Sequence, residues 1–571
     1  MQHSNSSDMH ATPQSLRLFT HPQIYTMEPD CPVANWILTL GDTIVAIGSD
    51  MAKLPLWAAQ AEVIELPGEC VIPGFIDAHA HLARYLLVKG RPGNTPADST
   101  DSANDWLDLS GCGTAELLQR VAAAAQARPA GTWIVGGGWD QASLVPFPIF
   151  QQLNEAAPHH PLLLSDNTLH AALANAQALA IANIHEDSWN PRGGHIGKDW
   201  ATGRLTGLLH EHAVPLVERH IPGLGRQATQ TRLASVMAEL NSLGIVGVHD
   251  LECSAGYDMF PTLARQLAQA PERFTVRCLS TLKADTWQAA LANGLWPGFG
   301  NDYLRIGCLK LIHDGSLGTG TALMSEPYAA PVGEDTKVNF GTEVVSRGEL
   351  QYLAREACER KVPLAIHAIG DRATQNVAEL FEELGYRPGY RPLRHRIEHV
   401  QSATVRTLER LAQCGLVFSV QPLHLLGDLP NIARLQPWLL AHTHAYRAML
   451  RVATQFGTML AIGTDFPVVP ANPIVTLHAA VNRTFPDGTP LAPQVVNALD
   501  RLSVAEAVTG YTIGAAFAAG EEQRKGTLAP GKVGDWVTLS QDIFRCQPEK
   551  IIATEVVATF VGSKCVFGYK F

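Results

Sequence analysis

The side chains most able to do chemistry are histidines and one aspartate that end short apolar runs. His79 and His81 form a His-x-His pair at the end of the run CVIPGFIDAHAH. Alternate residues of a strand point to the same side, so both imidazoles can reach one ion. Later runs end at His367, His399 and Asp465. Imidazole and carboxylate ligands favour Zn²⁺, or Mn²⁺, Fe²⁺ or Co²⁺.

A lysine accompanies these ligands, because Lys310 lies between Leu309 and Leu311 in another apolar run. A lone buried lysine or histidine is more often structural. The ordered occurrence of such residues at the ends of five apolar runs nevertheless favours a metal site. If burial lowers the pKa of the lysine, its neutral amine can react with CO₂, and the carbamate can bridge two ions about 3.5–4 Å apart. We therefore expect two divalent ions.

The elements that position these residues are eight apolar runs, separated mostly by helix-like stretches such as 346–360 and 404–414. Near-continuous apolar runs are typical of strands buried on both faces of a parallel sheet. Eight such units predict an α/β fold of the TIM (β/α)₈ barrel type, with catalytic residues at the carboxyl ends of the strands. The predicted strands are 70–81, 244–250, 273–280, 304–315, 362–370, 394–400, 415–424 and 458–467.

Two further regions surround the predicted barrel domain, residues 73–505. The β-rich segments 1–72 and 506–571 predict a small β-sandwich built from both termini. The stretch 82–243 follows the first strand and is too long for one helix or a structureless loop. We interpret it as an inserted subdomain that rises above the barrel mouth and could cover a substrate.

Other polar residues are candidates either for a contact with substrate or for a structural role. Some end predicted strands, some lie in the insertion and two flank ligand histidines. The candidate substrate-binding residues are Trp139, Asp140, His170, His249, Arg372, Arg396 and His424. The insertion also carries Leu144, Phe147 and Phe150, which with Trp139 suggest an apolar group on the substrate.

Composition excludes several classes of partner. The 571-residue chain has 43 basic against 54 acidic side chains, a net charge of −11. Nucleic-acid and anionic-membrane binders need a basic face, so we expect neither partner. The ten cysteines show no CxxC spacing, and we expect a reduced, cytoplasmic protein. We expect no secretory signal, since the first residues are polar, and no run approaches the roughly 18 apolar residues of a membrane span.

The motifs together resemble the amidohydrolase superfamily, within it the YtcJ-like branch (amidohydrolase family 3) that includes N-substituted formamide deformylases. They span most of the chain: PGFIDAHAH (73–81), GGGWDQ (136–141), LKLIHDGSLGTGTA (309–322), HAIGDRA (367–373), RIEHVQ (396–401), GTDFPV (463–468) and KGTLAPGKVGDWVTL (525–539). The resemblance implies that the four histidines are metal ligands, that Lys310 is the carboxylated bridge and that Asp465 is ligand and proton shuttle. It also implies a possible homodimer.

Two departures from this family pattern lie outside the implied ligands. His313 precedes Asp314 where relatives often have a small residue. The insertion reads TLHAALANAQAL where relatives often have a Gly before the His and a Ser after the Asn. We expect both departures to affect the substrate rather than the metal.

The expected reaction is hydrolysis of a C–N bond in a small amide, an N-formyl or N-acyl amine, by a hydroxide between the ions. Asp465 would carry the proton to the leaving nitrogen. A lactone or carbamate hydrolase on the same site stays open. A mononuclear deaminase lacks the lysine bridge and usually has a Glu shortly after the fifth-strand histidine, where this chain has Ala368, Ile369 and Gly370. A metal-binding scaffold without turnover is the non-enzymatic alternative.

Overall fold

The computed structural model describes most of the chain: residues 15–89, 106–145, 147–223, 226–252, 259–329, 338–388, 393–435, 443–488 and 500–568. The strands of these ranges are β1 (Leu16–Tyr25), β2 (Val33–Leu40), β3 (Thr43–Gly48), β4 (Glu62–Glu65), β5 (Cys70–Pro73), β6 (Phe75–Ala80), β7 (Leu107–Asp108), β8 (Ile134–Trp139), β9 (Leu162–Asp166), β10 (Ala171–Ala174), β11 (Gly194–Lys198), β12 (Leu205–Glu211), β13 (Ile245–Asp250), β14 (Arg277–Lys283), β15 (Leu304–Ile312), β16 (Leu364–Ala368), β17 (Arg396–His399), β18 (Val417–Val420), β19 (Leu460–Ile462), β20 (Trp536–Leu539), β21 (Val556–Val561) and β22 (Lys564–Phe567).

The helices of the same ranges are α1 (Leu82–Lys89), α2 (Thr114–Gln126), α3 (Phe150–Ala156), α4 (Ala176–Ile181), α5 (Val214–Glu218), α6 (Arg226–Ser242), α7 (Phe260–Gln269), α8 (Trp287–Ala292), α9 (Arg347–Glu359), α10 (Asp371–Glu383), α11 (Val405–Gln413), α12 (His424–Leu435), α13 (Tyr446–Phe456), α14 (Pro473–Asn482), α15 (Val504–Thr509) and α16 (Ala515–Ala518). In the described part of the chain, no helix is both long and apolar enough to cross a membrane.

A parallel eight-stranded sheet forms the centre of the molecule, in the order β19-β18-β17-β16-β15-β14-β13-β6. The predicted barrel is confirmed in this sheet, which is nearly closed. The first and last strands meet through a parallel bridge between Ala80 and Phe466. Every residue of β13, β14 and β16 is buried, which explains why these strands have no alternation of apolar and polar residues.

The helix-like stretches between the later strands form as the sequence indicates. Ser346 accepts a hydrogen bond from the backbone N–H of Glu349 and begins α9. Thr404 accepts one from Thr407 and begins α11, which buries Leu408 and its neighbours on the barrel side. Hydroxyl side chains at these positions satisfy N–H groups that have no partner within the helix.

The first predicted strand, 70–81, is in fact two strands in different sheets, β5 and β6. Gly74 lies between them, and a Cβ atom there would come within 2.3 Å of Val246 Cγ1. Glycine therefore lets the chain pass close to β13 as it leaves one sheet for the other. This change of sheet was invisible in the sequence because both strands are apolar.

The residues between β6 and β13 form a separate six-stranded sheet in the order β11-β12-β10-β9-β8-β7. Its apolar core includes Leu117, Leu153 and Leu162. Both ends of the chain contribute to a third sheet, β22-β21-β20-β5-β1-β2-β3, in which β4 also pairs with β1. A sandwich architecture and the domain boundaries stay predictions. The helical residues 504–518 continue past the predicted boundary at 505 and pack beside β19 and β6.

A buried ion pair joins the barrel to this third sheet. Arg277 of β14 donates from Nε to Asp535 Oδ2 at 2.6 Å and from Nη2 to Oδ1 at 2.9 Å. The two side chains are only 3% and 8% exposed. Removing one partner of such a pair leaves the other charge buried and unpaired, which costs about 3–5 kcal/mol.

We therefore expect Asp535→Asn to lower the midpoint of thermal unfolding clearly below that of the wild-type protein. The matched control is Glu116→Gln, which removes the exposed ion pair with Arg120 and should leave the midpoint nearly unchanged. Equal midpoints for the two variants would show that the buried pair does not stabilise the junction.

Candidate metal centre

One cavity at the carboxyl ends of the barrel strands collects all the predicted ligands. Its volume is about 450 Å³. The six predicted residues that line it are His79, His81, Lys310, His367, His399 and Asp465. They come from β6, β15, β16, β17 and the residues that follow β6 and β19, so the nearly closed sheet is what brings them together.

The imidazoles of the cavity lie close enough to share metal ions. Ring centroids are 5.5 Å apart for His79 and His81, 4.8 Å for His79 and His399, and 4.4 Å for His367 and His399. Asp465 Oδ1 lies 2.9 Å from His81 Nε2 and 3.5 Å from His79 Nε2. His79, His81 and Asp465 thus offer one set of three donors to a single ion.

Backbone geometry at the strand ends aims two of these side chains. His399 has φ 73° and Asp465 has φ 67°, in the left-handed region that non-glycine residues seldom adopt. The backbone N–H of Asp465 donates to the carbonyl of His79 at 2.7 Å. Strained conformations of this kind persist where the surroundings hold them, and they cluster at functional sites.

Asp77 holds the first and last strands in register, a role the sequence analysis missed. Its carboxylate accepts the backbone N–H groups of His79 and Thr464, each at 3.0 Å, and the Thr464 hydroxyl at 2.6 Å. Burial raises the pKa of this fully enclosed acid to about 7. The sequence signal for this role was Asp77 itself, an acidic residue inside the apolar run FIDAHA.

The hydrogen bonds of the imidazoles fit metal binding. His79 Nδ1 donates to Glu398 at 2.7 Å, His399 Nδ1 to Gln421 Oε1 at 2.8 Å, and His367 Nε2 to the carbonyl of Gly315 at 3.2 Å. Each bond places the proton on one nitrogen and leaves a lone pair on the other. Among the described residues, no hydrogen-bond partner exists for the buried Nε2 of His79.

The charge state of four of the five donors also suits cations. His81 differs, because burial opposes its protonation but Asp465 and Glu252 raise its pKa to about 9. Burial lowers the pKa of His79 to about 4, with the Lys310 ammonium adding to the effect, and burial holds the pKa of His367 and His399 well below 6.5. Burial opposes ionisation of Asp465, but the adjacent histidines lower its pKa below the usual value. Neutral imidazoles and a carboxylate are the forms that bind divalent ions.

Glu398 and Arg396 lie behind the ligands. Glu398 is fully buried between His79 and the Arg396 guanidinium. Burial would raise the pKa of Glu398, but Arg396 and His79 hold it well below its usual range. Arg396 also donates to Ser419 and to the Ala78 carbonyl. Arg396 does not line the cavity, and these partners lie beneath it, so its contact with substrate stays a prediction that this geometry does not support.

Lys310 and two candidate histidines face the cavity region. Lys310 is 2% exposed and lines the wall. His424, the first residue of α12, has its Nε2 3.6 Å from Asp465 Oδ2, and its ring stacks on His399 with centroids 6.0 Å apart. The second group able to hold an ion consists of His399, His424 and Asp465. His170 also lines the cavity wall.

The insertion residues predicted to contact substrate lie elsewhere. Trp139 is 1% exposed and donates from Nε1 to the Leu164 carbonyl at 2.8 Å. Asp140 accepts the N–H of Ala142 and caps a short helical turn. Both side chains make contacts within the inserted sheet and its adjoining turn, so their contact with substrate stays a prediction. The other apolar residues of that prediction also pack within the insertion: Leu144, Phe147 and Phe150.

Three more side chains near the ligands have structural contacts. His249 is buried and its Nδ1 faces Arg396 Nη1 at 2.9 Å. Arg372 is exposed on the first turn of α10. Neither lines the cavity, so contact of either residue with substrate stays a prediction. His313 donates from Nδ1 to the Val345 carbonyl at 2.9 Å. This departure from the family pattern therefore supports the loop next to the site.

The cavity wall contains residues that no motif indicated. Glu252 follows β13 and its carboxylate lies 3.5 Å from His81 Nδ1. Arg84 of α1 approaches Glu252 at 3.3 Å and Glu218 at 3.1 Å. Glu211, at the end of β12, is 2.9 Å from His170 Nδ1. These residues are distant in sequence and belong to no periodic pattern, so only the fold identifies them.

The sequence profile of the amidohydrolase family matches residues 62–567. The chain belongs to the amidohydrolase family. It is 29% identical to Protein LONG AFTER FAR-RED 3 of Arabidopsis thaliana, over 96% of this chain and 91% of that protein. It is 28% identical to Putative amidohydrolase YtcJ of Bacillus subtilis, over 95% of this chain and 98% of that protein. It is 25% identical to N-substituted formamide deformylase of Arthrobacter pascens, over 95% of this chain and 97% of that protein. The resemblance drawn from the motifs is thereby confirmed.

Solved structures show the same fold for this amidohydrolase. A crystal structure of an uncharacterized metal-dependent hydrolase from Pyrococcus horikoshii superposes with a TM-score of 0.71 at 24% identity, over 94% of this chain and 99% of that one. At that identity the likeness establishes the fold alone.

Glu398→Gln should weaken metal binding by about 10- to 100-fold, because the amide holds His79 less firmly than the carboxylate does. Zinc affinity measured by competition with a chelator tests this expectation. Glu382→Gln, which removes an exposed pair with Arg410, is the control and should bind zinc like the wild-type protein. Unchanged zinc affinity in Glu398→Gln would show that Glu398 does not hold His79 for metal binding.

Proposed function

We propose that this amidohydrolase uses two divalent ions, with Zn²⁺ as the first candidate, to hydrolyse the C–N bond of N-formyl or N-acyl amines. The observation that carries the proposal is the single cavity in which four imidazoles, Lys310 and Asp465 meet. The orphaned Nε2 of His79 and the ordered tautomers support metal ions as occupants. The relative named as an N-substituted formamide deformylase supports an amide substrate.

Ligands for the ions come from both sides of the cavity. His79, His81 and Asp465 would hold one ion, and His367 and His399 the other, with a carboxylated Lys310 between them. Bound divalent ions supply a hydrolytic nucleophile at neutral pH and polarise the carbonyl group. The chain itself supplies the proton transfer. Asp465, held as a carboxylate, accepts a proton and delivers it to the leaving nitrogen, which would otherwise depart as a poor amide anion.

Activity screening of the metal-loaded protein tests the proposal. The panel contains N-formyl, N-acetyl and longer N-acyl amines, lactones, carbamates and amino-substituted heterocycles, and metal content is measured on the same samples. Turnover of amides that a chelator abolishes and zinc restores is the expected result. Turnover of lactones or carbamates alone would redirect the proposal to those bonds. Release of ammonia from the heterocycles by protein with one ion per chain would favour a deaminase. Two bound ions without turnover of any compound would favour a metal-binding scaffold.

Asp465→Asn should lower kcat on the best amide by about 10²- to 10⁴-fold, because the amide cannot carry the proton. The assay is run on samples whose metal content matches that of the wild-type protein. Asp187→Asn, an exposed position in the insertion, is the control and should retain full turnover. Wild-type kcat in a metal-loaded Asp465→Asn variant would contradict the proton-shuttle role.

A further inference from the structure

The wall of the cavity carries a histidine–glutamate pair from the inserted sheet. His170 lies in the turn between β9 and β10, and Glu211 ends β12. His170 Nδ1 is 2.9 Å from Glu211 Oε2. Both residues line the cavity, and the His170 ring lies 5.1 Å from the ring of His367. The inserted sheet thus places a polar group beside the proposed metal ligands.

Backbone strain occurs at the residues that aim this pair. Leu169 has φ 65° and Glu211 has φ 50°, both in the left-handed region. The N–H of Glu211 donates to the carbonyl of His170 at 2.9 Å, which locks the two segments together. Leu169 and Glu211 both line the cavity, and backbone conformations of this kind cluster at functional sites.

Glu211 is also fixed from the barrel side. The Thr321 hydroxyl donates to Glu211 Oε1 at 2.7 Å. A Cβ atom on Gly315 would come within 2.1 Å of Glu211 Oε1, so glycine is required for this close approach. The carbonyl of the same Gly315 accepts the hydrogen bond of His367. One short loop therefore positions both a proposed metal ligand and the carboxylate that holds His170.

The Glu211 carboxylate engages His170 Nδ1, so Nε2 is the nitrogen that remains for a ligand. Nε2 accepts a hydrogen bond when the ring is neutral and donates one when it is protonated, so either state can bind a polar group. Leu169, Val214 and Pro215 provide apolar surface on the same wall. A polar atom surrounded by apolar surface is typical of a site that orients a substrate.

We propose that His170, held by Glu211, is a substrate-positioning residue that hydrogen-bonds the amide group, while Leu169, Val214 and Pro215 contact an apolar substituent. The inference rests on the proposed function and specifies its substrates as amides with an apolar group next to the scissile bond. The insertion supplies this wall, and the barrel supplies the proposed metal ligands.

The test compares His170→Gln with the control His195→Gln, an exposed histidine of β11 in the same sheet and outside the cavity wall. N-hexylacetamide and N-hexylformamide are the probes. KM and kcat are measured on zinc-loaded protein, the Kd of each probe by calorimetry on chelator-treated protein, and zinc content on every sample. Losing one hydrogen bond should raise KM and Kd about 3- to 10-fold in His170→Gln, with zinc content unchanged.

Glu211→Ala provides a second variant and should raise the same two constants, because it releases His170 without touching the metal ligands. Wild-type KM and Kd in both variants would overturn the inference, as would loss of zinc in step with loss of activity. Failure of the wild-type protein to turn over any amide would instead count against the proposed function. In that event the comparison of Kd values still decides the role of His170. If neither probe binds the wild-type protein, the proposed role of His170 is refuted.

Discussion

The candidate metal centre depends on the contacts that the buried carboxylate of Glu398 makes. This carboxylate lies inside the barrel with no access to water, so its charge is balanced by Arg396 on one side, and it accepts a hydrogen bond from the neutral His79 on the other. This pairing places the His79 proton on Nδ1 and directs Nε2 into the cavity. The charges beneath the cavity thus decide which imidazole nitrogen is available above it.

Closure of the barrel imposes the second constraint. Asp77 binds the backbone of both His79 and Thr464, so the residues that follow the first and last strands lie side by side. Asp465 then reaches the histidines of β6 with its backbone in a strained conformation. The insertion adds a third contribution, because the loop at Gly315 contacts His367 and Glu211 together.

The barrel strands and the six clustered residues were predictable, because each follows from a local rule. A strand buried on both faces is apolar throughout, and a polar residue at its end is conspicuous. The direction of a side chain is harder to predict, because no local rule fixes it. Trp139 and Arg396 belong to recognisable motifs, yet one completes the core of the inserted sheet and the other balances Glu398. Packing and charge balance depend on neighbours that are distant in the chain.

The sequence by itself determined the type of fold, the family and the donor atoms, since apolar patterning and residue chemistry are properties of short segments. Only the tertiary structure decided which residues line the cavity. His170 and Glu211 are 41 residues apart and meet through the antiparallel pairing of β10 with β12. Arg84 and Glu252 converge in the same way. Such contacts arise when strands and helices pack, and no local pattern encodes them.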